Sequence, residues 1–199
     1  MTWPPQAGTE LRGSTVHLRP AVPADDAAAV LAALDDDRVW EHVGGRPADA
    51  GGWEARLRGR FAEGLPWLVT LVEEVGGLPA GTVVGVTCYL DVSAVDARLE
   101  VGSTSYAPAV WATRVNPEAK LLLLSLAFDT LGAGRVQLKT DVRNARSQRA
   151  IGRLGARSEG LLRRYQRRSD GTVRDTALFS ITAEDWPGVR AGLEQRLLR

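Results

Sequence analysis

Two short passages carry the residue types that can hold an anion and move a proton. The first is Trp111-Ala112-Thr113-Arg114-Val115-Asn116-Pro117-Glu118, where a β-rich run ending near Tyr106 gives way to a helical one. Asn116 reads as an N-cap with Pro117 at the first helical position. Free N–H groups at a helix start attract anions, and Arg114 adds positive charge beside them, so a diphosphate suits the place. The same residues equally well cap a buried helix and do nothing more. The second passage repeats the theme, with Asn144 between a strand and a helix and Ser147 three residues on. Asn144 can cap with its side-chain oxygen, leaving the Ser147 hydroxyl partly free near the strand ends. Arg143, Arg146, Arg149 and Arg153 lie around that helix start and along it, as a solvated basic face or as phosphate contacts. Ligands of open sheets gather at the carboxyl ends of strands where the order splits, so two such junctions point to one crevice.

These passages need elements to position them. Val16-His17-Leu18-Arg19-Pro20 alternates and stops at a proline, as a first strand does. Asp25 and Asp26 open an Ala/Leu-rich helix over 27–34. A second helix over 48–62 places Trp53, Leu57 and Phe61 four apart on one face. Strands follow over 67–72, 82–90 and 98–106. The leucines of 117–131 cover nearly every side of a helix, which must therefore be buried, and Gly132 and Gly134 end it. A strand over 135–140 and a short helix over 146–154, stopped by Gly155, come next. Strands over 161–168 and 173–181 flank the hairpin signal Ser169-Asp170-Gly171, and an amphipathic helix runs from Trp186 to Leu198. The order β-α-α-β-β-β-α-β-α-β-β-α mixes the two kinds without strict alternation, which predicts a single α+β domain with a mixed sheet. Turn-rich residues 1–14 form an arm, 15–182 the domain proper, and 183–199 a terminal helix packed on it.

Composition narrows the partners. A chain of 199 residues buries a full core without disulfide or metal support. Lone Cys88 has no disulfide partner, and with two histidines it makes no zinc set, so no metal is expected. Net charge is +1, which argues against nucleic acid as a partner. No apolar run approaches the roughly 20 residues that span a bilayer, so no membrane partner is expected. Met1-Thr2-Trp3-Pro4-Pro5 has neither a basic nor an apolar leader pattern, and the expected location is the cytoplasm. His17 and His42 read as structural, and Cys88 as a small buried hydrophobe. The arginines of Arg163-Arg164-Tyr165-Gln166-Arg167-Arg168 read as the two sides of a solvent-facing hairpin.

Three stretches together resemble a known family. They are Glu100-Val101-Gly102 through Ala107-Pro108 into 111–120; Asn144-Ala145-Arg146-Ser147 running to Arg153-Leu154-Gly155-Ala156; and Glu159-Gly160-Leu161-Leu162-Arg163 followed by Asp170-Gly171 and Asp175. This ordered set is similar to the GNAT superfamily of N-acetyltransferases, most of all to the branch of ribosomal-protein N-acetyltransferases. One departure is plain: Arg114 and Asn116 stand where the family places glycines that let backbone N–H groups approach a pyrophosphate.

The resemblance implies a central, mostly antiparallel twisted sheet of about seven strands, splayed in the middle and flanked by helices. It implies acetyl transfer from acetyl-CoA, by direct attack, to a primary amine of a small molecule or a protein N-terminus, with a homodimer as one arrangement. The cofactor contacts it implies are Thr104, Ser105 and Tyr106 on the splayed strand, Thr113, Arg114, Val115 and Asn116 at the first junction, and Asn144, Ser147 and Arg149 at the second. It makes Glu159 the general base and Ser147 the acid for the departing thiolate, with Tyr106 as an alternative acid. Trp40, Trp53 and Trp67 fall in the half that builds the acceptor pocket, where they line it or simply fill the core. The filled glycine positions leave a second outcome open, an acyl-CoA sensor without catalysis on the same fold.

Overall fold

In the computed structural model, which describes residues 1–168 and 170–198, the chain forms β1 (Leu11–Arg12), β2 (Val16–Pro20), α1 (Pro23–Leu34), α2 (Asp37–Trp40), α3 (Ala50–Glu63), β3 (Gly64–Leu71) and β4 (Val83–Ser93). It continues with β5 (Arg98–Tyr106), α4 (Val115–Ser125), β6 (Arg135–Asp141), α5 (Ala145–Gly152), β7 (Arg157–Arg167), β8 (Val173–Thr182) and α6 (Trp186–Leu197). Ser169 of the expected hairpin turn lies outside the described residues. The predicted order of elements recurs with two additions, the two-residue β1 and the one-turn α2.

One eight-stranded sheet has the order β1-β2-β3-β4-β5-β6-β8-β7. Every neighbouring pair is antiparallel except β5 and β6, which the crossover through α4 makes parallel. Successive strand residues point to opposite faces, so β3 sends Leu68 to one side and Val69 to the other. Leu68 and Val86 meet Val30 and Leu34 of α1 and Trp53 and Leu57 of α3. Val69, Leu99 and Val136 join Ala119 and Leu123 of α4 and Val189 and Leu193 of α6. Helix, sheet and helix therefore form three layers. Among the described residues no helix is long and apolar enough to cross a membrane.

Two expectations about helices need correction. Phe61 is 40% exposed although Trp53 and Leu57 are each 2% exposed. Steps of four residues turn roughly 400°, so each drifts about 40° around the axis and the third residue leaves the buried stripe. The helix expected over 117–131 begins earlier, at Val115, and closes through a π turn over Leu126–Thr130.

Both charged residues of α4's first turns are buried, and they face opposite ways. Glu118 accepts from the backbone N–H groups of Ser14 (2.9 Å), Thr15 (2.7 Å) and Val16 (2.7 Å) and from the Ser14 hydroxyl (2.7 Å). The β1–β2 turn thus wraps one carboxylate, and Gly13 is required beside it, since a Cβ there would lie 2.4 Å from the Glu118 carboxyl carbon. Replacing Glu118 by Ala leaves the two buried N–H groups of Thr15 and Val16 and the part-buried one of Ser14 without their acceptor. We expect a loss of about 3–5 kcal/mol in urea unfolding, with Glu118→Gln retaining part of it because its amide oxygen still accepts.

Candidate active site

β5 and β6 are hydrogen-bonded only over Arg98–Glu100 and Arg135–Gln137. Beyond that point β6 stays committed to β8 along its whole length. β5 instead bends: Cys88 pairs with Gly102 and Val86 with Ser105, so β5 carries one residue more than β4, and Ser103 takes a left-handed φ of 46°. Such a bulge tilts a strand and strengthens its twist. The strands part, and a cleft of about 630 Å³ opens between them. Along 103–106, β5 has a partner on one side only, so its other backbone groups are free to meet a ligand.

Glu100 occupies the point of divergence. Leu99 and Val101 enter the core, so alternation turns Glu100 to the other face, opposite Leu90. Its Oε2 lies 2.7 Å from Lys139 Nζ, which also donates to the Tyr165 hydroxyl at 3.1 Å. Oε1 has no hydrogen-bond partner among the described residues. Gly102 leaves it room, because a Cβ there would stand 2.4 Å away. Burial pushes the Glu100 carboxyl above its usual range, and the Lys139 hydrogen bond offsets only part of that.

The expected second junction forms. Asn144 caps α5 by accepting from Ser147 N at 2.9 Å, and both residues line the cleft. The Ser147 hydroxyl has no hydrogen-bond partner among the described residues. Arg146 lays its guanidinium 3.6 Å from the Trp111 ring centroid, and Trp111 Nε1 donates to Tyr106 O at 2.9 Å. This stack joins the two junctions across the crevice. Arg149, in contrast, is exposed and off the cleft wall.

The first junction differs from its expected form. The helix starts at Val115, so Asn116 lies inside the first turn and is not the cap. Arg114 occupies the cap position without a side-chain cap bond, and Thr113 before it accepts weakly from Val115 N at 3.3 Å while donating to Val110 O at 2.7 Å. Val115 is buried in the core and Arg114 leans toward Glu73 at 3.9 Å, so of Thr113, Arg114, Val115 and Asn116 only Asn116 reaches the cleft wall. Glu118 N–H is used by Arg114 O and Pro117 has none, which leaves the Asn116 N–H for a ligand.

On the splayed strand Thr104, Ser105 and Tyr106 all line the cleft. The Tyr106 hydroxyl is buried without a partner among the described residues, and burial pushes it well above the usual phenol range. Glu159 stands apart. Arg135 grips it with two hydrogen bonds, 2.6 and 2.5 Å, and Ser180 donates a third at 2.7 Å. The Arg135 guanidinium holds its carboxyl down at about 2, and it does not line the cleft. The resemblance thus pointed to a carboxylate fully occupied elsewhere. Glu100, which does line the cleft, stands in the sequence as a lone acid between Leu99 and Val101 in a core strand. The hairpin arginines are mostly solvent-facing, but Arg168 is an exception, paired with buried Asp141 at 2.6 Å. His42 reaches the cleft wall, whereas His17 pairs with Glu10 at 2.9 Å away from it.

Lys120 is a further residue that its leucine-rich surroundings concealed. It lies two positions past Glu118, on the other side of α4, and donates to Thr104 Oγ1 (2.8 Å) and Thr87 Oγ1 (3.2 Å) at the cleft floor. No carboxylate pairs with it among the described residues, and burial lowers its pKa to about 7. Below that value the folded state holds a buried ammonium, while the unfolded chain keeps its proton up to about 10.5. Between the two the unfolded state binds more protons, so stability should rise with pH there. We expect Lys120→Met to stabilise the chain at pH 7 by a few kcal/mol. In urea unfolding that advantage should shrink as pH approaches 10.5.

Comparison with known proteins agrees with this geometry. A model of the acetyltransferase (GNAT) domain matches residues 15–157. A solved structure from T. thermophilus, assigned as an acetyltransferase, is 35% identical with a TM-score of 0.83, covering 99% of both chains. Mycobacterium smegmatis RimJ in complex with CoA-disulfide is 25% identical at 0.75, covering 94% of this chain and 93% of that one. A GCN5-related N-acetyltransferase from Brucella melitensis shares the fold, with a TM-score of 0.85 at 24% identity over 96% and 86% of the chains. No curated protein matches significantly. A splayed β5–β6 pair beside two strand-to-helix junctions, together with a family match over most of its length, shows that the chain belongs to the GNAT acetyltransferase family.

Proposed function

We propose that the chain moves an acetyl group from acetyl-CoA to a primary amine by direct attack, with Glu100 as general base. The observation that carries this is the Glu100 carboxylate, buried at the point where β5 leaves β6, one oxygen held by Lys139 and the other free. An attacking amine must be neutral, and a carboxylate with a raised pKa and one open oxygen is suited to take its proton. Lys139 and Tyr165 fix that carboxylate in place.

The donors present fit a pantetheine diphosphate: free backbone groups of 103–106, the Asn116 N–H, the Ser147 hydroxyl and the Arg146 guanidinium. Acetyl-CoA supplies the activated acyl group as a thioester. Unpaired N–H groups of bent β5 can stabilise negative charge developing on a carbonyl oxygen. Ser147 is placed to offer a proton to a departing thiolate, and its hydroxyl is not engaged elsewhere. Cys88 cannot readily serve as a nucleophile for a covalent intermediate. It is buried off the cleft wall, and burial pushes its thiol to about 12. The CoA-disulfide bound by the RimJ relative supports this cofactor.

Thiol release from acetyl-CoA across a panel of amines and peptide N-termini tests the assignment. Glu100→Gln should lower kcat about 10²- to 10⁴-fold, while Glu159→Gln leaves it unchanged. Since the base must be ionised, kcat/KM should fall as pH drops through an apparent pKa above the ordinary carboxylate range. Ser147→Ala should lower kcat less, because solvent reaches its half-exposed position. Tight acetyl-CoA binding with no thiol release on any acceptor would favour the sensor instead.

A further inference from the structure

The far end of the cleft carries a positive charge that the chemistry above does not use. Arg56 lies on α3 and lines the same cleft as Glu100. Its guanidinium is half-buried beside a contacting pair of indoles, 5.7 Å from the Trp40 centroid and 5.8 Å from that of Trp53, the two rings being 5.8 Å apart. A single hydrogen bond, Nη1 to Gly45 O at 2.8 Å, occupies one of its five N–H donors. No carboxylate pairs with it among the described residues. One turn on, Arg60 faces the same cleft and is neutralised by Glu63, so of the two α3 arginines on the wall only Arg60 has a carboxylate partner among the described residues. Burial, reinforced by the Arg60 charge, lowers the Arg56 pKa. An arginine desolvated without a counter-ion is costly unless a ligand brings the anion.

Position decides which ligand. α3, which carries Arg56, covers one face of the sheet, and α4, whose start forms the first junction, covers the other, so Arg56 is on a different element from either junction. It is closer to the acid-base centre. The register runs from Gly64, directly after α3, to Leu90 and on to Glu100, two strand spacings or roughly 10 Å. Arg56 sits two helical turns before Gly64, about 12 Å back along α3. Side chains reaching inward from both ends leave their charged groups on the order of 10 Å apart, the span of about three extended residues.

We propose that Arg56 forms an anion subsite for the acceptor, and that the acceptor is an amine bearing a carboxylate at the spacing of a short peptide acid. Which end carries the amine rests on the assignment of Glu100 as base. The planar guanidinium fork suits a carboxylate held by two parallel hydrogen bonds, and the Trp40–Trp53 pair beside it limits its movement.

A matched pair of probes tests this: trialanine as free acid and trialanine amide, titrated calorimetrically into the intact chain with CoA present. The free acid should bind at least tenfold tighter. Arg56→Gln should abolish that difference, and Arg56→Lys should keep only part of it. Equal affinity of the pair for the wild type, no binding of either, or a preference that persists in Arg56→Gln overturns the proposal. If Arg56→Gln fails to fold in a thermal melt, the wild-type comparison and Arg56→Lys still decide. Thiol release from acetyl-CoA with the same pair separates the two levels. Preferential binding of the acid without turnover removes the transferase assignment and keeps the subsite. Turnover with equal kcat/KM for both members does the reverse.

Discussion

Everything at the cleft follows from the short run over which β5 and β6 stay joined. Three residues on each strand are paired, and then the left-handed Ser103 turns β5 aside while β8 keeps β6 straight. A sheet split in its middle loses backbone hydrogen bonds that water or a ligand must replace. Side chains hold the opening instead. Glu100 to Lys139 ties β5 to β6, Asp141 to Arg168 ties the end of β6 to the β7–β8 hairpin, and Arg146 over Trp111 ties α5 to the loop before α4. None of the three closes the gap, and each borders it.

Charge burial follows the same plan. Glu118 is satisfied by four donors of its own chain and so acts as a nail for α4. Lys120, two residues on, has only hydroxyl partners, and Arg56 has one carbonyl. Fully paired buried charges specify structure, whereas half-paired ones cost stability and tend to mark where ligands bind. The two incompletely paired cations line the cleft, and the completely paired anion does not.

The carboxylates Glu159 and Glu100 differ in what their tertiary surroundings leave free. Both acids lie in β-strands and both have a basic partner. Arg135 and Ser180 saturate Glu159 outside the cleft, while Lys139 takes only one oxygen of Glu100. That difference arises between strands distant in sequence and has no local trace.

Local physics was enough for the order of elements, the buried helix between β5 and β6, the Asn144 cap, and the burial of Cys88. Alternation, capping and hydrophobic periodicity act over a few residues and can be read directly. Tertiary structure alone decided that α4 starts at Val115 with Arg114 and not Asn116 at its cap, that Phe61 leaves the core, and that Glu100, Lys120 and Arg56 line one cleft. Helical drift, the β5 bulge and cross-strand register are set by packing between distant segments. A sequence therefore shows which side chains carry charge, and only the fold shows which of those charges remain unpaired.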